Sequence, residues 1–266
     1  MEFLRIVKRR SFLNEVVYVG LNVGLAVVLA VVVRVTGSLW PAFGIVLLSM
    51  WRVFGVRPRF WFANIQTNLV STIVSVSYVV FLYIANTASA SDFTILVIQS
   101  VLAILYASWL LILKPQSKRI YIVMQAGAAL FTGITAIFAM SYGWIATPVV
   151  LLTWLVGYAT AKHALNSYDN ESHSMFLSLV CGMILAEIGW LAYHWTIAYR
   201  LPLIVDIPLP QVSIIALCFG FLTYKSYDSY YHHQKIRLND ILFPLIFTVS
   251  VVSILIFAFN NVNAAI

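Results

Sequence analysis

Residues 175–199 read MFLSLVCGMILAEIGWLAYHWTIAY, an apolar run with Glu187 near its centre. A bilayer crossing takes about 20 predominantly apolar residues, so this stretch is long enough to span. A carboxylate at mid-span costs a few kcal/mol, and such residues normally face a bundle interior, find a partner and mark a functional position. His194 falls on the same helical face about two turns further on, roughly 10 Å along the axis, with Trp190 between them. The run therefore predicts a membrane helix carrying one polar column, Glu187, Trp190 and His194.

The rest of the chain has the composition of the same class. Of its 266 residues 62% are apolar and only 9% charged, and the mean hydropathy is +0.94. Soluble domains carry about 25% charged residues. An all-α, polytopic transmembrane bundle is expected, with no room for a sizeable soluble domain. Periodicity and apolar length place about nine spans near residues 16–33, 39–54, 66–85, 93–113, 120–140, 145–161, 175–199, 211–224 and 241–259. Residues 1–15 read as a cytoplasmic interfacial segment in which Arg5, Lys8, Arg9 and Arg10 alternate with apolar residues. Residues 260–266 read as an external tail.

Two segments need a separate argument. The apolar run at 16–33 is long for a signal peptide and ends at Arg34 with no small-residue cleavage site, so it reads as an uncleaved first span. Its Gly20 and Gly24 form a GxxxG pair that permits close helix approach. The run at 211–224 covers only about 21 Å, short of a roughly 30 Å hydrocarbon core. Charge nevertheless favours its crossing. With nine spans and the N-terminus inside, fourteen of the 16 basic residues fall in internal segments and only Arg34 and Arg200 outside. That is the bias of the positive-inside rule; without the crossing the split drops to eleven against five. The helix would then continue past Lys225 toward Tyr231, with the lysine reaching back to the headgroups. The net charge of +7 thus sits at helix ends and points to a lipid bilayer as partner, not to nucleic acid. The cell membrane is the expected location.

The third span carries a second polar feature. Asn64, Asn68, Ser71, Ser75 and Tyr78 recur at spacings of four and three, a stripe expected to turn into the bundle at the depth of Glu187. In the fifth span Ala126, Ala129, Gly133 and Ala136 make a small-residue stripe suited to tight packing. WPAFGIVLLS at 40–49 resembles WIATPVVLLT at 144–153, which would make spans one to four a parallel repeat of spans five to eight.

The chemistry is sparse. Cys181 and Cys218 both lie in spans and read as small apolar fillers. The internal loops hold His163, His173, His232 and His233 with Asp169, Glu171, Asp228 and Asp240, but at no spacing typical of a metal site. No nucleotide loop, nucleophile elbow or HExxH helix occurs, so no cofactor, metal or catalytic residue is expected. The first functional expectation is a small-solute or ion/proton-coupled carrier or channel-like protein. Its site would join Glu187, His194 and Trp190 to Asn68, Ser71, Ser75 and Tyr78. The alternatives are a membrane-embedded lipid-modifying enzyme using the loop histidines and acids, and a noncatalytic membrane subunit.

Overall fold

A computed structural model describes residues 2–55, 57–141, 143–168, 171–195, 198–200 and 208–258; Asp169 and the 260–266 tail lie outside them. Apart from one short strand pair, the regular elements among these residues are helices, as an apolar sequence with its loops confined to the ends requires. They are α1 (Glu2–Thr36), α2 (Leu39–Ser49), α3 (Trp51–Phe54), α4 (Trp61–Thr87), α5 (Asp92–Ser108), α6 (Arg119–Met140), α7 (Ala146–Leu165), α8 (Ser174–Trp195), α9 (Gln211–His233) and α10 (Leu238–Ala258). A 3₁₀ turn at Pro58–Phe60 precedes α4, and a π-helical turn at Trp109–Leu113 ends α5.

Among the described residues six helices are long and apolar enough to cross a membrane: those at Asn14–Thr36, Trp61–Thr87, Asp92–Leu113, Arg119–Met140, Ser174–His194 and Leu238–Phe257. They are compatible with a membrane protein, while the count of about nine spans is not confirmed. α2 stops after 11 residues, roughly 16 Å, and the chain breaks at Met50 before α3. α7 and α9 are long but more polar, with Lys162 and His163 ending one and Lys225, Asp228, His232 and His233 ending the other. α1 is unbroken from Glu2, so residues 2–15 continue the first predicted span instead of forming a separate short helix. Gly37, at φ +61°, closes α1 by donating its N–H to Val33 O at 2.9 Å, the left-handed cap that glycine adopts without strain.

α4 and α6 are the central helices. Half of each apolar window is buried within the protein, against 22% for α8 and 17% for α10. The α6 stripe explains its position: Ala126, Ala129, Gly133 and Ala136 are all buried, and a Cβ on Gly133 would stand 2.8 Å from Ile73 Cγ2. α6 therefore lies close to α4, α7 and α9 at once. α1, α2 and α5 gather on α4 around Leu29, Val33, Val46, Val79, Leu82 and Leu110. α8 packs on α7 through small residues, since a Cβ on Gly157 would lie 2.9 Å from Leu185 Cβ and one on Gly189 2.8 Å from Thr153 Cγ2. Gly20 and Gly24, by contrast, have nothing within 4 Å of an added Cβ, so the α1 GxxxG pair makes no close approach within the chain.

α9 runs antiparallel to α6 over its full length. Val212 and Ala216 share a core cluster with Phe138, Ile134 and Leu130, Gly220 sits under Leu130, and Asp228 reaches Arg119 at the start of α6. Its 23 residues extend about 34 Å, past the apolar run at 211–224 and through Lys225 to His233, in line with the expected continuation toward Tyr231. α8 ends at Trp195, short of the predicted 199. Residues 198–200 instead pair antiparallel with 208–210, giving a minimal hairpin. Pro208 and Pro210 have no N–H to donate, which keeps the pairing short. The proposed four-helix repeat is not confirmed: α2 has 11 residues and its counterpart α7 has 20, and the central α4 would correspond to the peripheral α8.

Candidate functional site

The α4 stripe turns inward. Ser71, Ser75 and Tyr78 are buried and Asn68 is half-buried. Because a buried hydroxyl in an apolar surround needs a partner, the stripe is tied down locally. Tyr106 OH donates to Ser75 Oγ at 2.9 Å, Ser75 donates to Ser71 O at 2.8 Å, and Tyr78 OH donates to Ala26 O at 2.9 Å. The Tyr78 and Tyr106 rings stack with centroids 4.2 Å apart. Asn68 donates to Asn64 O at 2.8 Å, and Asn64 donates to Val53 O at 2.9 Å, fixing α3 against α4. Ser71 Oγ is buried without a partner. Tyr106 was not foreseen; its signal is a single hydroxyl in the otherwise apolar run 101–107.

Glu187, Trp190 and His194 do share one face of α8, but that face points away from the bundle. All three are exposed, beside exposed Met183, Ile184 and Leu191. His194 Nδ1 lies 2.9 Å from Trp190 O, and the Trp190 and His194 rings are 4.9 Å apart. Glu187 makes no hydrogen bond or ion pair with another described residue. The reason is visible in the small residues: Ser178, Gly182, Leu185 and Gly189 occupy the opposite face, and close packing of that face on α7 turns Glu187 outward. α7 lies between α8 and α4. The structure thus does not bring Glu187 to the Asn68, Ser71, Ser75 and Tyr78 stripe, and the expected facing of the two is corrected.

Two polar groups form at the other end of the bundle, where the charge count expects the inside. In the first, the Arg119 guanidinium lies 4.3 Å from the centre of the Tyr168 ring and 5.6 Å from that of Tyr231. Its Nη1 is 3.7 Å from Asp228 Oδ1, the oxygen to which Tyr168 OH donates at 3.1 Å. Burial, then the Asp228 carboxylate, pushes the Tyr168 hydroxyl well above its usual range. Next to it, Tyr227 OH donates to Glu171, which also accepts from His173 N at 2.8 Å. These donors, Tyr227 foremost, hold the Glu171 carboxyl below the usual glutamate range.

The second group surrounds a half-open cleft of about 200 Å³ between α4, α6 and α7, lined by Gln66, Thr67, Ile122, Lys162, His163 and Asn166. Lys162 Nζ donates to Tyr158 OH at 3.2 Å, and Gln66 Nε2 donates to the same oxygen. His163 Nε2 is 2.8 Å from Gln125 Oε1, while Gln125 Nε2 donates to Leu113 O and Gln116 O at 2.7 and 3.0 Å. The amide is thereby oriented, and its oxygen accepts the Nε2–H of His163. Gln66, Thr67, Gln125 and Tyr158 were not singled out from sequence; uncharged residues in apolar helices carry little signal until their neighbours are known.

Among the described residues no group of three or more His, Cys, Asp or Glu side chains is placed to hold a metal ion. Cys181 and Cys218 are free thiols on different helices. The fold is that of an all-helical protein compatible with membrane insertion. Comparison with known proteins adds no narrower class, for no family model, no curated protein and no solved structure matches the chain.

Proposed function

We propose that the protein is a polytopic membrane subunit that assembles, through the outer face of α8, with a different membrane protein. The observation that carries this reading is the outward Glu187 at mid-helix, with no partner among the described residues of its own chain. A carboxyl group facing acyl chains is unfavourable by a few kcal/mol, and a donor from a neighbouring transmembrane helix removes that cost. A second copy of this chain is the poorer occupant. Two like-oriented copies meeting through this same face would set Glu187 against another Glu187 at the same depth. The partner is therefore a transmembrane helix bearing a cation or an amide donor at mid-depth. Met183, Ile184, Trp190 and Leu191 supply an apolar contact around that pair.

Of the three expectations, the noncatalytic subunit is the one this geometry favours. A carrier site shared by Glu187 and the α4 stripe within one chain loses its basis, because α7 lies between them. In this reading the N-terminus is inside, α9 crosses and the C-terminus is outside, in keeping with the fourteen internal basic residues.

A photo-crosslinking amino acid at Met183, beside Glu187, tests the proposal in native membranes. The expected product is an adduct to a transmembrane segment of another protein with a lysine, arginine, histidine or amide at matching depth, lost in Glu187→Leu. Adducts to lipid alone, or to a second copy of the chain, would overturn it.

A further inference from the structure

The cleft at the end of α7 carries a separate inference. Of its six lining side chains five bear hydrogen-bond donors, namely Gln66, Thr67, Lys162, His163 and Asn166, and none is a carboxylate. Lys162 is half-buried and makes no ion pair among the described residues. Among the described residues its ammonium hydrogen-bonds only to the Tyr158 hydroxyl, leaving two N–H groups. Tyr158 also receives Gln66, so both donors are fixed at one point of the wall. Stacking of Tyr158 on Trp154, with centroids 5.6 Å apart, holds that point in place. Asn166 lines the cleft with its side-chain amide in no hydrogen bond to another described residue. A partly desolvated cation with only neutral acceptors around it is incompletely compensated, and an anion supplies what it lacks. The nearby cation and acid go elsewhere: Arg119 pairs with Asp228 on the α9 side of α6.

We propose that this cleft binds a phosphate group, with Lys162 as the charge partner and Asn166 as the aligning donor. At about 200 Å³ and roughly 30 Å³ per water, the space holds such a group with a few waters. Its position at the bundle end suits two sources of the same chemistry, the phosphate of a lipid headgroup and free inorganic phosphate. A purely structural role for Lys162 competes with this, since a cation in the last turn of a helix complements the carbonyl end.

The test uses the full chain purified in a maltoside detergent. Inorganic phosphate forms one arm and short-chain phosphatidic acid the other, with diacylglycerol of the same chains as control. Saturable binding or a thermal shift in at least one arm is expected. It should weaken about tenfold or more in Lys162→Gln, the loss of one charge-assisted contact, and survive in Lys162→Arg. Asn166→Ala should weaken it severalfold while leaving the melting temperature without ligand unchanged, so the question stays decidable if Lys162→Gln fails to fold. Response to inorganic phosphate alone assigns a free anion, and response only to phosphatidic acid assigns the headgroup. No saturable response in either arm, or equal affinity in wild type, Lys162→Gln and Asn166→Ala, would overturn the proposal.

Discussion

Glu171 is the residue whose state can be followed most simply, because it lies in the loop between α7 and α8 and its two donors are known. Its carboxyl is held below the ordinary value of about 4.3 in the folded protein, chiefly by the Tyr227 hydroxyl. The unfolded chain therefore takes up the proton first as pH falls. The stabilisation is whole above the unfolded value and disappears as pH drops through the lowered folded one. Thermal melts between pH 3 and 7 should show wild type more stable than Tyr227→Phe at neutral pH, with the gap closing toward pH 3. A gap independent of pH would show that the hydroxyl acts by packing alone. At this scale the sequence was a partial guide. The 4–3 spacing identified Ser71, Ser75 and Tyr78 as one buried face, since periodicity reports which side chains point together. It also placed Glu187, Trp190 and His194 on one face, but periodicity does not report what that face meets.

Glycine spacing decides how the elements meet, and two glycine patterns behave differently here. Gly20 and Gly24 in α1 match the familiar four-residue spacing yet face open space, whereas Gly157 of α7 lies against Leu185 and Gly182 of α8. A methyl group on Gly157 would come within 2.9 Å of Leu185 Cβ and 3.2 Å of Gly182 Cα. Overpacking of that kind costs about 1–3 kcal/mol. Gly157→Ala should accordingly lower the denaturation midpoint in detergent, while Gly24→Ala leaves it unchanged; equal effects would mean that α7 and α8 are not closely apposed. The orientation of Glu187 was hidden for this reason. The polar column was conspicuous, and the Ser178, Gly182 and Gly189 ridge that turns it outward lacked bulk or charge to draw notice. Helix lengths were legible where termini carried signals, as at Pro115 after α5. In α9 the aromatic and charged second half from Tyr224 to His233 breaks the apolar pattern without breaking the helix, and there the placement of the basic residues, not the apolar pattern, pointed to its continuation past Lys225.

For the whole molecule, the sidedness of the loops follows from α9 lying antiparallel to α6. Arg119, Tyr168, Asp228 and Tyr231 come from three separate stretches of chain and meet at one end. Reporter fusions after Asn166 and after Tyr231 should therefore give the same signal, cytoplasmic in the proposed orientation, and opposite signals at the two positions would refute the arrangement. The six long apolar helices are compatible with a membrane protein, and that much was legible from composition, in which only 9% of the residues are charged. The assembly of the core was not, because it depends on contacts between distant segments. That dependence has a bearing on biosynthesis. The α6 face formed by Gly127, Leu130, Ile134 and Phe138 is covered by Val212, Ala216, Leu217 and Gly220, which leave the ribosome only after α7 and α8 have been made. Until α9 is in place, the nascent chain carries an open seam along α6, one of its two central helices. The protein's interior is thus closed by a helix made well after the one it covers, with two other helices synthesised in between.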